Sequence, residues 1–260
     1  MYDVAQIWHH PVKSMQGERL DATVVDERGL LADRGRALID TATGKVASGS
    51  WAARRWADLV MWSSVYVDEP REGRGLPEVR ISSPSGESWV SGPADVDEEL
   101  SQRLGRSVRL ATADAEGSEA MYGDGPVGSF WDVGSVHLVS TGALARLSEA
   151  VPSSTFDARR FRPNLVIDSG EAVGFPEDEW LGATLAIGTS VRMRVTSRCP
   201  RCVMTTHAQA DLPNDREILR TAARANAANV GIYAEVVVPG AVRLGDPLRV
   251  VPFREASGAG

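Results

Sequence analysis

Turns interrupt this chain too often for long helices. Short apolar or β-branched segments such as "YDVAQIW" (2–8), "RALID" (36–40), "LVMWSSVYV" (59–67), "PEVRISS" (77–83), "ESWVS" (87–91) and "SVRLAT" (107–112) are bounded by Gly, Pro, Asp or Ser, the mark of brief strands closed by turns. The second half continues with "SVHLVS" (135–140), "PNLVID" (163–168), "ATLAIG" (183–188) and "SVRMRVTS" (190–197). "YAEVVVPGAVRLGD" (233–246) reads as two strands about a Pro-Gly turn, with a Gly-Asp-Pro turn leading into "PLRVVP" (247–252). Helical spacing is confined to 95–105, 141–151 and 214–228. In the last of these Asn214 is placed to cap, with Glu217 three residues later as in a capping box. Strands that seldom alternate with long helices argue against a doubly wound sheet. They favour a mainly β, α+β fold: a curved or closed β-barrel with helices outside it. Residues 113–134, rich in Gly, Asp and Glu, read as a long loop or boundary. The expected division is an N-terminal domain over 1–112 and a C-terminal domain over 113–255, with 255–260 a frayed tail.

With 260 residues, 43% hydrophobic and 24% charged, the chain is long enough for one large core or two modest ones. Its first residues lack the pattern of a signal peptide, and no run approaches the length of a membrane span. Two cysteines do not form a disulfide framework, so the expected compartment is the reducing cytoplasm. A net charge of −7 argues against a broad nucleic-acid surface and leaves room for a local basic pocket. Neither nucleic acid nor membrane is an expected partner. Among 28 basic residues, Lys13 and Lys45 are the only lysines. Lys13 is either a chance survivor in an arginine-rich chain or a position where a compact point charge serves better than a planar fork.

Both cysteines lie in "SRCPRCVMTT" (197–206). A thioredoxin-type dithiol wants a helix start behind its first cysteine, but the Val-Met-Thr-Thr-His run after Cys202 reads as a strand. A structural zinc site wants four ligands. Only His9, His10, His137 and His207 remain to supply them, and there is no second knuckle. Two inert buried thiols are the plain alternative. Arg198 and Arg201 weaken it, because neighbouring cations favour the thiolate, the form that binds soft metals.

"CPRCVMTT" (199–206) resembles the signature of the MOSC domain, named after the C-terminal part of molybdenum cofactor sulfurases. Four further blocks are similar to that family, in family order: "IWHHPVKSMQGERLD" (7–21), "GLLADRGRALID" (29–40), "RRFRPNLVID" (159–168) and "VRLGDPLRVV" (242–251). The resemblance implies a MOSC-type β-barrel preceded by an N-terminal β-barrel-like MOSC subdomain. It also implies a molybdenum cofactor, a pterin carrying a dithiolene and a terminal phosphate. It places the metal ligand and catalytic thiol at Cys202 and leaves Cys199 as a substrate-side thiol or, the favoured reading, to packing. It places cofactor anchors at Lys13, Ser14, Arg34, Arg162 and Asn164. Thr205 and Thr206 either line the metal pocket or are plain strand residues. A buried phosphate suits a point charge, a hydroxyl and forked guanidinium donors, which gives Lys13 a reason. Two departures stand out: Ser135 where the family often has Pro, and His207 where an aliphatic residue is usual. His207 reads as a surface or internally satisfied residue rather than a proton donor.

The resemblance to the amidoxime-reducing members implies reduction of a small N-hydroxylated substrate at the metal. The sequence has no spare cysteines for an iron–sulfur cluster and no G-x-G-x-x-G leading into a helix, and no fused desulfurase is expected. Electrons are therefore expected from a separate ferredoxin, flavoprotein or haem protein. The other function class is a non-catalytic carrier of the cofactor or of sulfur that uses Cys202 as its handle.

Overall fold

The computed structural model describes residues 2–92, 95–113, 129–131 and 133–252. Most of the loop expected over 113–134, and the tail expected over 255–260, lie outside the described residues. In chain order the strands are β1 (Tyr2–His9), β2 (Glu18–Leu20), β3 (Ala22–Asp26), β4 (Gly29–Leu30), β5 (Arg36–Asp40), β6 (Lys45–Val46), β7 (Ser63–Tyr66), β8 (Val79–Ser82), β9 (Ser88–Val90), β10 (Val108–Thr112), β11 (Val136–Ser140), β12 (Leu165–Asp168), β13 (Thr184–Ile187), β14 (Val191–Pro200), β15 (Asn229–Val238), β16 (Gly240–Arg243) and β17 (Pro247–Val251). The helices are α1 (Ala53–Trp56), α2 (Val96–Leu104), α3 (Thr141–Ala150) and α4 (Glu217–Asn226).

The fold is mainly β, as expected. Strands β12-β11-β15-β14-β13-β17-β1 follow one another in a sheet, and β1 pairs back onto β12, so seven strands close a barrel with β2 added outside β1. Closure removes the edges that an open sheet would leave unpaired. The barrel interior is packed with Val4, Ile7, Leu138, Leu185, Met193 and Ile232, among others. β14 shows how the sequence builds it: Val191, Met193 and Val195 point inward, while Arg192, Arg194 and Thr196 lie on the outer face. β11 is buried along its whole length, because α3 and α4 cover its outer side through Val139, Val166, Leu147 and Ile218. That two-sided burial goes with its parallel pairing to β12, bridged by α3.

Strand β1 comes from the chain start, yet it closes a barrel whose other six strands lie between residues 136 and 251. A separate core occupies the first half. Trp56, Leu59, Trp62, Ile81 and Leu100 pack there beneath the sheets β10-β5-β6 and β7-β8-β9. The strands flanking the Pro-Gly turn do not pair with each other; β16 joins β3 instead.

Several local expectations are corrected. Leu59–Met61 sits in a 3₁₀ turn, not a strand. The run after Cys202 is also a single 3₁₀ turn, Val203–Thr206, closed by its own hydroxyls: Thr205 Oγ1 donates to Cys202 O at 3.0 Å and Thr206 Oγ1 to Val203 O at 2.7 Å. Asn214 does not cap α4. Asp215 Oδ1 accepts from Glu217 N at 2.9 Å in its place.

Glu177 is fully buried, with its carboxylate accepting from Ser140 Oγ, the side chain that also caps α3 at Ala143 N. Burial raises its carboxyl above the ordinary 4.5. The folded state therefore binds this proton more tightly than the unfolded chain. The stability it contributes is complete below the unfolded value and is lost as pH rises through the folded one. Glu177→Gln is expected to flatten that decline, so that its melting temperature gains on the wild type as pH rises from acid to neutral. A difference that does not change with pH would contradict this.

Candidate functional site

Three of the residues expected as anchors share an uncommon backbone. Ser14, Arg34 and Arg162 have φ of 67°, 50° and 55°, the left-handed region that non-glycine residues occupy at a cost and that concentrates at functional sites. Backbone bonds, the first two between distant segments and the third local, hold these loops. Arg34 N donates to His10 O at 2.8 Å, Lys13 N to Arg36 O at 2.9 Å and Arg162 N to Ala158 O at 3.1 Å.

Lys13, Ser14, Arg34, Arg162 and Cys202 line one cavity of about 620 Å³. The first three come from the N-terminal half and the other two from the C-terminal half, so the expected convergence on one pocket is seen for five of the residues. Arg198 and Arg201 also line it, making five cationic side chains, with no carboxylate among the described lining residues. Such a cavity within an acidic protein is built for an anion.

The cations are held, not loose. Arg34 is ion-paired with buried Asp33, donates from Nη2 to Arg162 O at 3.2 Å, and stacks over Trp131 at 3.6 Å. Lys13 Nζ donates to Phe130 O at 2.6 Å. Arg162 Nη1 donates to Met15 O. Arg201 donates from Nη2 to Phe161 O at 2.7 Å and from Nη1 to Cys199 Sγ, while its buried Nε has no hydrogen-bond partner. Cys199 is buried against that guanidinium, whereas Cys202 is exposed and opens into the cavity. The two thiols are thus inequivalent by position.

Burial, followed by the neighbouring Arg34 charge, brings Arg162 down to about 9. Its folded value lies below the unfolded one, so the charged side chain costs stability at neutral pH, and a bound anion relieves that cost. Binding of inorganic pyrophosphate, followed by calorimetry, is expected to weaken as pH rises through about 9. Arg162→Met should remove most of that fall. Equal affinity on both sides of the transition would show that Arg162 does not meet the anion.

Asn164 and Thr205 do not line the cavity. Asn164 is a buried clamp: Oδ1 accepts from His137 N at 3.1 Å, and Nδ2 donates to Asp33 Oδ2 at 3.0 Å. Thr205 is buried and secures the turn behind Cys202, its carbonyl accepting from Arg160 Nη1 at 3.3 Å. Both support the site from behind. His207 lies outside the cavity lining.

Other residues of the site carried no signal in the sequence. Asp33 ties Arg34, Asn164 and, at 2.7 Å, His10 N together. Its only hint was its place beside Arg34. His137 lines the cavity, with ring nitrogens 3.4 Å from Arg162 O and 3.2 Å from Val230 O. Burial, then the Arg201 charge, holds it well below the usual histidine range, so it stays neutral. Tyr233, whose phenol burial pushes up, keeps its proton beside Cys199. Trp51, Trp131, Phe161 and Met204 give the cavity apolar and aromatic walls. The arrangement puts five cationic side chains, an accessible thiol suited to a soft metal, and apolar and aromatic surface on one cavity.

The chain matches the MOSC N-terminal beta barrel domain over residues 1–70 and the MOSC domain over residues 127–249. It is 32% identical over 130 residues to mitochondrial amidoxime reducing component 2 of Rattus norvegicus. That match covers 45% of this chain and only 37% of that protein's length. Among solved structures it is similar in fold to the YuaD protein from Bacillus subtilis, with TM-score 0.50 and 11% identity over 98% of each chain. A partial likeness to YiiM from Geobacillus stearothermophilus has TM-score 0.35 and 19% identity over 46% of this chain and 55% of that one. With the MOSC N-terminal beta barrel domain matched over residues 1–70 and the MOSC domain over residues 127–249, the chain belongs to the MOSC domain family.

Proposed function

We propose that the cavity holds a molybdenum cofactor and that the chain is a molybdenum-dependent oxidoreductase that reduces N-hydroxylated compounds. The observation that carries this reading is one cavity lined by five cationic side chains, no described carboxylate and an exposed thiol, Cys202. The residues fit the group: Lys13, Ser14, Arg34 and Arg162 would hold its phosphate and pterin, and Cys202 its metal. The similarity to the rat amidoxime reducing component supports the same class of substrate.

When bound, the cofactor supplies two-electron chemistry at molybdenum, and the protein supplies binding, orientation and electrostatics. Arg34 is fixed by Asp33 and Trp131, so its donors face an anion without reorganising. The 3₁₀ turn closed by Thr205 sets the backbone of Cys202. Tyr233 keeps a phenolic proton within the cavity wall, while His137, kept neutral by burial and the Arg201 charge, orders the wall rather than titrating. Trp51, half exposed at the mouth, and Phe161 give an apolar substrate a surface to lie on.

The chain has two cysteines, one placed as metal ligand and one buried against Arg201. In this reading its electrons come from a separate redox protein through a small, transient contact. Protein loaded with cofactor is expected to reduce a simple amidoxime with reduced viologen as donor, and not with NADH or NADPH alone. Molybdenum-loaded protein that turns over with neither donor would replace this reading with that of a cofactor or sulfur carrier.

A further inference from the structure

We propose that Trp51 sets the substrate class of the cavity: a flat aromatic amidoxime in preference to an aliphatic one of equal size. This rests on the function proposed above and adds the kind of body its substrate carries. Trp51 lines the cavity and is 59% exposed, uncommon for so large a ring. The other aromatic rings of the wall present less of themselves. Trp131 is 6% exposed beneath the Arg34 guanidinium, and Phe161 is 1% exposed. Tyr233 is held edge-on to Trp131.

An exposed ring alone would be an ordinary surface side chain. The second observation is the turn 48–51 that carries it. Ser48 is fully buried, and its Oγ accepts from Ser50 N and Trp51 N, both at 3.3 Å. Gly49 N donates to Ser14 Oγ at 3.1 Å, which ties the turn to the loop that carries Lys13 and Ser14. Gly49 also lies against Met204, where a Cβ would come within 3.3 Å of Met204 Cε. Glycine therefore lets the turn close on the segment that follows Cys202. On its other side Ala52 N donates to Ser48 O at 3.0 Å and the chain enters α1, whose Trp56 is buried in the first-half core. Trp51 is thus mounted on a turn fixed from both halves of the chain, and a substrate meets its ring without having to order a loop.

The amidoxime head is common to all such substrates, so it does not discriminate among them. The body does. An indole face stacked on a flat π-system gains about threefold to tenfold in affinity beyond the burial of apolar area. A saturated ring of the same size gains the burial alone.

Benzamidoxime and cyclohexanecarboxamidoxime test the proposal, with molybdenum-loaded full chain and reduced viologen as donor. Each substrate takes one electron from each of two viologen radicals and two protons from water; its N–O bond breaks, and an amidine and water form. With viologen as donor, docking of a protein partner does not enter the measurement. In the wild type, KM is expected to be about threefold to tenfold lower for benzamidoxime, with the preference in KM rather than kcat. Calorimetric titration of the two amidoximes without donor should show the same preference in affinity. Trp51→Leu changes an exposed side chain and should keep the melting temperature. It is expected to bring the two KM values to within about twofold, and Trp51→Phe to retain the preference. Equal KM values in the wild type, or a preference that survives Trp51→Leu, would overturn the proposal and leave the reductase reading standing. Molybdenum-loaded protein that turns over neither amidoxime would overturn both.

Discussion

Replacing Cys202 with alanine is expected to abolish molybdenum retention and to lower reduction of an amidoxime by about a thousandfold or more, as happens when a group that the chemistry requires is removed. The fold should survive, because Cys202 is exposed and makes no core contact that the barrel needs. Cys199→Ala should behave in the opposite way. Cys199 is fully buried, with its sulfur against the Arg201 guanidinium. Truncation leaves a small void and a guanidinium short of one contact, at a cost of about 1–2 kcal/mol, while metal content stays close to that of the wild type. Metal analysis and a thermal melt on both variants separate the roles. Equal metal loss would point to a dithiol or shared-ligand site.

The second large effect is expected at Asp33. This carboxylate is 4% exposed and serves Arg34, Asn164 and the backbone of His10 at once. Asp33→Ala leaves Arg34 buried without its counter-charge and close to Arg162. Breaking a buried pair from one side typically costs about 3–5 kcal/mol. A merely structural carboxylate would give the same loss. The distinguishing result is rescue: inorganic pyrophosphate should recover more melting temperature in Asp33→Asn than in the wild type, because the anion takes over the missing charge beside Arg34. Equal shifts in the two proteins would make Asp33 structural only.

Much of this was legible in the chain. Alternation in segments such as 190–197 and the turn residues between them gave the strand-rich architecture, since period-two burial and Gly/Pro punctuation are local properties. Barrel closure was not local. β1 meets β12 across more than 150 residues, and nothing in "YDVAQIW" names that partner. Tertiary contacts also overrode propensity after Cys202, where β-branched threonines turn inward and satisfy their hydroxyls on the backbone of a 3₁₀ turn.

The site divides in the same way. Lys13, Ser14, Arg34, Arg162 and Cys202 lie within recognisable blocks, and all five reach the cavity. Asn164 and Thr205 lie in the same blocks but face inward, because a block records proximity to a site and not the direction of each side chain. Asp33 escaped notice because a buried counter-ion is chosen by its burial, which sequence does not show. The positive φ values at Ser14, Arg34 and Arg162 are equally invisible in a string of residues.

The most direct test of the central proposal is elemental analysis of the wild-type chain purified from a host that makes the cofactor. The account predicts close to one molybdenum per chain, together with a releasable pterin, and neither in Cys202→Ala. Zinc in place of molybdenum, or a metal-free wild type that cannot be loaded with isolated cofactor, would contradict it.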